Sequence, residues 1–203
     1  MLLKNANVFI DGSFKLLDIS IKKDRISEIG ENLKSDEETI DCTNKMIWPG
    51  LFDIHTHGCI GFDFSKSTPV EIMEMCCFYA KHGVTSVLAT TMTNEPHQYS
   101  RAIKYISEVM QIQKETEAAS QAYIRGINME GPFFGKEKKG AHDEQYLCPI
   151  SQELIEEYQE LSNNAICLID IDPSLPNALT FINDNKENMT ISIAHTNCDY
   201  DTA

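Results

Sequence analysis

Four side chains stand where chemistry is plausible: His55, His57, Glu130 and His195. Each lies at the end of a short apolar run: the two histidines close residues 51–57, Glu130 closes 123–130, and His195 follows 189–194. Residues two apart on a strand project to the same side, so His55 and His57 share a face. Paired neutral imidazoles suit a divalent cation such as Zn²⁺ or Fe²⁺. An isolated H-x-H is a common surface accident. Its place after Pro49-Gly50-Leu51-Phe52-Asp53-Ile54 and before Gly58 is what favours a metal. Asp53 shares the face and reads as a partner of the histidines or a hydrogen-bonding rim residue. Glu130 alone would suit a cap or an ion pair, and His195 alone a core or rim histidine. The combination favours metal ligation, and the two carboxylate oxygens of Glu130 let it bridge two ions.

A second group follows Glu130 in a long loop, Lys136-Glu137-Lys138-Lys139-Gly140-Ala141-His142. Long loops after barrel strands are usually functional. The lysines read first as a solvated surface, and otherwise as a local positive patch for an anionic substrate. His142 reads as a polar substrate contact over the mouth. Asp170 and Asp172, in the run Ile169-Asp170-Ile171-Asp172, read as structural acids. Adjacent helical positions diverge, so Cys76-Cys77 reads as packing rather than a redox pair.

Strands must place these groups together. Residues 1–48 read as a small β module, with Asp11-Gly12 as a tight turn and 17–21 and 25–30 alternating as half-buried strands. From Trp48 onward, apolar runs at 51–57, 84–91, 123–130, 166–169 and 189–194 alternate with helical patterns. Thr68-Pro69-Val70-Glu71 is a capping box with Pro at the first helical position, and Gly83 ends that helix. A second helix is expected from about 95 to about 118, a third after the cap Ser151, and a fourth from 176 to about 186. Alternating strands and helices imply right-handed βαβ units and a parallel sheet. The expected fold is α/β: a (β/α)₈ TIM-like barrel with about five of its units in this chain, and a small N-terminal β-sandwich-type module. An open doubly wound sheet fits the spacing too, but there is no G-x-G-x-x-G and no P-loop. The expected domains are 1–48 and 49–203. A full barrel needs about 250 residues, so the chain is expected to be the N-terminal portion of a longer protein.

Composition bounds the partners. The 203 residues carry 31 acidic and 17 basic side chains, a net charge of −14. That field disfavours nucleic acid and anionic membrane surfaces. No apolar run is long enough to span a bilayer, and the first residues turn polar too early for a secretory signal. Seven cysteines, an odd number without C-x-x-C, read as reduced thiols in a cytoplasmic protein.

The motifs also resemble a known family. Residues 49–58 are similar to the first barrel strand of the amidohydrolase superfamily. Gly126-Ile127-Asn128-Met129-Glu130-Gly131-Pro132-Phe133, then Lys139-Gly140-Ala141-His142, then Ala194-His195-Thr196, resemble the N-acetylglucosamine-6-phosphate deacetylase family in order and spacing. The resemblance implies that Glu130 and His195 are metal ligands. His55 and His57 would hold a second ion in members that keep both, and Ala141 and His142 would bind the amino sugar. It implies a Zn- or Fe-dependent hydrolysis, with one or two ions, that removes acetate from N-acetylglucosamine 6-phosphate. A carboxylate would serve first as base, then as acid. It also implies a homodimer for the full-length form. The family's base is expected beyond Ala203, so no catalytic acid–base residue is assigned within 1–203, and the chain alone is expected to be inactive. Two departures occur: Asp172-Pro173-Ser174 where the family usually has Ala-Pro-Glu, and Ala194 where it has Gly. Other readings are an amidohydrolase acting on a cyclic amide, or a truncated metal-binding fragment without turnover. The first typically needs a lysine at the end of strand four, where this chain has none.

Overall fold

The computed structural model describes residues 1–116 and 120–203, and the far end expected for the second helix, near 118, lies outside them. Asp11 and Gly12 both adopt left-handed backbone, φ 51 and 77, and close a two-residue hairpin between β1 (Leu2–Ile10) and β2 (Ser13–Lys22). Such turns match the right-handed twist of paired strands. β3 (Arg25–Gly30) continues the antiparallel meander, while β4 (Thr39–Asp41) and β5 (Met46–Ile47) both pair parallel with β1. The sandwich-type module expected from the sequence is thus one mixed sheet of five strands. Ala6, Val8, Ile19 and Cys42 form its small core. Buried Asp18 braces it by accepting from the backbone amides of Asn5 (2.8 Å) and Leu33 (3.0 Å). This unit is Met1–Gly50.

The second unit, Leu51–Ala203, is a parallel sheet in the order β10-β9-β8-β7-β6, curled as in half a barrel. The strands are β6 (Leu51–Thr56), β7 (Val84–Met92), β8 (Tyr123–Glu130), β9 (Ile166–Ile171) and β10 (Thr190–Ile193). Helices α1 (Pro69–Lys81), α2 (Pro96–Thr116), α3 (Gln152–Leu161) and α4 (Ala178–Asn185) connect them. α1 starts where the capping box predicts: the Glu71 carboxylate accepts from the Thr68 amide at 2.7 Å and from its hydroxyl at 2.9 Å. Gly83, at φ 84, stops it. Ser151 caps α3 by accepting from Leu154 N at 3.1 Å. α4 begins later than its sequence pattern suggests, because Asn177 stands in left-handed backbone, φ 67.

Val87, Ala89, Ile124, Ile127, Met129, Ile169 and Ile171 are buried with the inward faces of the helices. β8 and β9 approach closely at Gly126, where a Cβ would meet Cys167 Sγ at 2.4 Å. All seven cysteines are free thiols. Among the described residues no helix is long and apolar enough to cross a membrane.

Candidate metal centre

In a parallel sheet every strand delivers its last residues to the same rim, so topology alone gathers groups distant in sequence. Glu130, the last residue of β8, lies at the middle of that rim and is buried. His57 Nε2 stands 2.9 Å from its Oε2, and His55 Nε2 stands 3.8 Å from the same oxygen. On the other oxygen, Oε1, His195 Nε2 stands at 2.9 Å and His142 Nε2 at 3.6 Å. Two sets of three donors therefore share one carboxylate: His55, His57 and Glu130, and Glu130, His142 and His195.

The proton arrangement tells how such a cluster can be used. His195 Nδ1 donates to the Lys138 carbonyl at 2.9 Å, an acceptor only, so Nδ1 carries a proton. Neutral His195 then directs a lone pair from Nε2 at a carboxylate oxygen. Two acceptors 2.9 Å apart need a proton or a cation between them. Glu130 Oε2 and His57 Nδ1 are buried without a well-formed hydrogen bond. These donors fit a divalent cation: imidazole nitrogen and carboxylate oxygen are the usual ligands of zinc and non-haem iron.

The electrostatics point the same way. Burial would raise the Glu130 carboxyl, but the imidazoles of His142, His57 and His195 that face it outweigh burial and hold the acid far below the ordinary carboxylate range. The Glu130 carboxylate, 2.9 Å away, lifts the His57 imidazole above its ordinary value, against the opposing effect of burial. An ionised carboxylate ringed by basic nitrogens attracts whichever positive charge is offered.

The remaining residues sort unevenly. Asp53 accepts from the His55 backbone amide at 3.1 Å, so it braces the rim. Ala141 is exposed on the loop. His142, expected over the mouth, is instead wholly buried: Nδ1 lies 2.8 Å from Thr93 Oγ1 and the ring packs edge-on to Phe134. The loop lysines are largely committed. Lys136 pairs with Glu144 at 2.8 Å, and Lys139 donates to the His142 carbonyl at 2.9 Å. Asp172 is structural, accepting from Ser174 Oγ at 2.6 Å and Ser174 N at 3.0 Å. Asp170 differs: its Oδ2 is buried with no hydrogen-bond partner, 3.8 Å from His55 Nδ1. Sequence reasoning passed over Thr93 and Asn128. Asn128 carried a usable signal, since it lies two residues before Glu130 on the same face of β8. Thr93 carried none. A cleft of about 620 Å³ lies among Gln152, Gln159, Ile166, Asn185 and Met189, at the opposite strand ends from this rim.

A curled parallel sheet with imidazoles and a carboxylate at its carboxyl rim is an arrangement that could hold a divalent cation. A D-hydantoinase structure shares the fold at TM-score 0.51 and 17% identity over 87% of this chain. The particular resemblance is narrower. The chain is similar to the N-acetylglucosamine-6-phosphate deacetylase of Danio rerio, 31% identical over 82% of this chain and 41% of that protein. It is similar to the enzyme of that name from Lysinibacillus sphaericus, 25% identical over 99% of this chain and 51% of that protein. The Pasteurella multocida deacetylase structure superposes at TM-score 0.84 with 26% identity, over 99% of this chain and 52% of that one. A Mycobacterium smegmatis deacetylase, solved with N-acetyl-D-glucosamine-6-phosphate, shares the fold at TM-score 0.84 and 23% identity over 100% of this chain and 51% of its own. No protein-family model matches the chain. The resemblance read from the motifs is thus borne out: this chain is similar to the N-terminal portion of N-acetylglucosamine-6-phosphate deacetylases. It spans about half the length of the relatives it matches.

Proposed function

We propose that this chain supplies the metal-binding half of an enzyme that hydrolyses N-acetyl-D-glucosamine 6-phosphate to D-glucosamine 6-phosphate and acetate. One observation carries the reading: a buried, ionised glutamate at the sheet's carboxyl rim, with four imidazole nitrogens within 3.8 Å, in a chain similar to enzymes of that name. Glu130 with His57 and His55, and Glu130 with His195 and His142, would hold one or two ions of zinc or iron. Such an ion polarises an amide carbonyl and acidifies water.

The chain's own residues prepare that site. Lys138 and Thr93 fix the His195 and His142 rings through their Nδ1 atoms. Phe134 packs on both rings, with centroids 4.5 and 4.9 Å away. Seven free thiols suit a reducing, cytoplasmic setting. The cyclic-amide alternative is not favoured, because β9 ends without a lysine.

Acetate release from N-acetylglucosamine 6-phosphate, with added Zn²⁺ or Fe²⁺, tests the proposal. A chain extended to the relatives' length turns over, and the 203-residue chain does not. No acetate from the extended enzyme with either ion overturns the reading. Turnover by the short chain alone would move the base into residues 1–203.

A further inference from the structure

Asp170 is a buried carboxylate whose role the fold leaves unexplained. It is the last residue but one of the interior strand β9, beside Glu130 of β8, with which it is in register. Its Oδ2 has no hydrogen-bond partner, an expensive state for a buried acid. Asn128 Oδ1 is buried and unpartnered too. Both residues face one side of His55: Asp170 Oδ2 lies 3.8 Å from Nδ1, and Asn128 Nδ2 lies 3.1 Å from it. The opposite ring nitrogen, Nε2, faces Glu130.

That placement has a consequence for ligation. As the structure stands, Asn128 donates to Nδ1, which leaves the proton of neutral His55 on Nε2. An imidazole that binds a cation through Nε2 must carry its proton on Nδ1 instead. The proton then needs an acceptor, and the unpartnered oxygens at hand are those of Asp170 and Asn128. Asp170 is the acid of the two, and a carboxylate accepts more strongly than an amide oxygen.

We propose that Asp170 is a positioning residue of the metal centre, which accepts the Nδ1 proton of His55 and so turns its Nε2 toward the cation shared with Glu130. The inference rests on the metal reading above and assigns Asp170 no contact with the ion. It departs from the structural role that the sequence alone suggested for this acid.

Zn²⁺ titration of the 203-residue chain and of Asp170→Asn, with the His55 ring nitrogens followed by ¹⁵N NMR, tests it. The wild-type chain binds Zn²⁺ with His55 in the Nδ1–H form. Asp170→Asn folds normally by circular dichroism, binds roughly 10- to 100-fold more weakly, and loses that proton signature. In a His55→Ala background the same substitution changes nothing further, because its effect passes through the imidazole. Unchanged affinity and unchanged His55 signals in Asp170→Asn would overturn the inference alone. So would an equal loss in the His55→Ala background, which would make Asp170 a ligand in its own right. A wild-type chain that takes up no Zn²⁺ overturns the metal reading together with the inference.

Discussion

The interior strands of the parallel sheet and its two edge strands make opposite contributions to the site. β7, β8 and β9 are buried along most of their length, and β8 and β9 carry the acids, Glu130 and Asp170. β6 and β10 are largely exposed, with Leu51, Phe52, Ile54 and Ile193 open to solvent, and they bring the imidazoles of His55, His57 and His195. The carboxylates thus lie on the buried interior strands, and basic nitrogens approach Glu130 from the edge strands. A buried acid is costly unless it is paired. The imidazoles reduce that cost in the free protein, and a cation would reduce it further. The centre and the two edges are therefore coupled through one carboxylate.

Four experiments can break or sharpen this contrast. Glu130→Gln should have the largest effect, because both donor sets lose their shared anion. It should abolish measurable Zn²⁺ uptake in a competition assay with a chromophoric chelator, and retained uptake would show that the edge imidazoles suffice. Zn²⁺ at about 100 times its dissociation constant should stabilise the wild-type chain by about 2.7 kcal/mol in denaturant melts. No gain is expected for Glu130→Gln, and an equal gain would separate stability from this site. Gly126→Ala in interior β8 pushes a methyl group onto Cys167 and should cost about 1–3 kcal/mol in the same melts. The edge substitution Ile193→Thr should cost less than about 0.5 kcal/mol, as exposed positions usually do. Equal costs for these last two would erase the distinction between interior and edge.

Much of the fold was legible because its signals are local. The Thr68–Glu71 box, the Gly83 stop and the Ser151 cap each act within one turn of chain, and all three helix boundaries fall where these residues place them. Asn177 was harder, since left-handed backbone at an asparagine depends on its surroundings. The ligand candidates were legible for a different reason. A histidine or glutamate that closes an apolar run must sit at a strand end, and parallel strands share one rim.

The sequence by itself determined the strand–helix alternation, the strand ends that carry His55, His57, Glu130 and His195, and a likeness to deacetylases through motifs of adjacent residues. Only the tertiary structure decided that His142 is buried against Thr93, that Lys136 and Lys139 are engaged locally, and that Asp170 is unpartnered while Asp172 is satisfied. The burial of His142 against Thr93 and the placing of Asp170 beside His55 depend on distances between residues far apart in the chain, while the lysines and Asp172 are taken up by neighbours in their own loops. Asp170 and Asp172 are two residues apart and chemically identical, yet one meets Ser174 and the other faces an imidazole from β6. Periodicity tells which face a side chain takes, but what waits there is set by strands from elsewhere in the sheet.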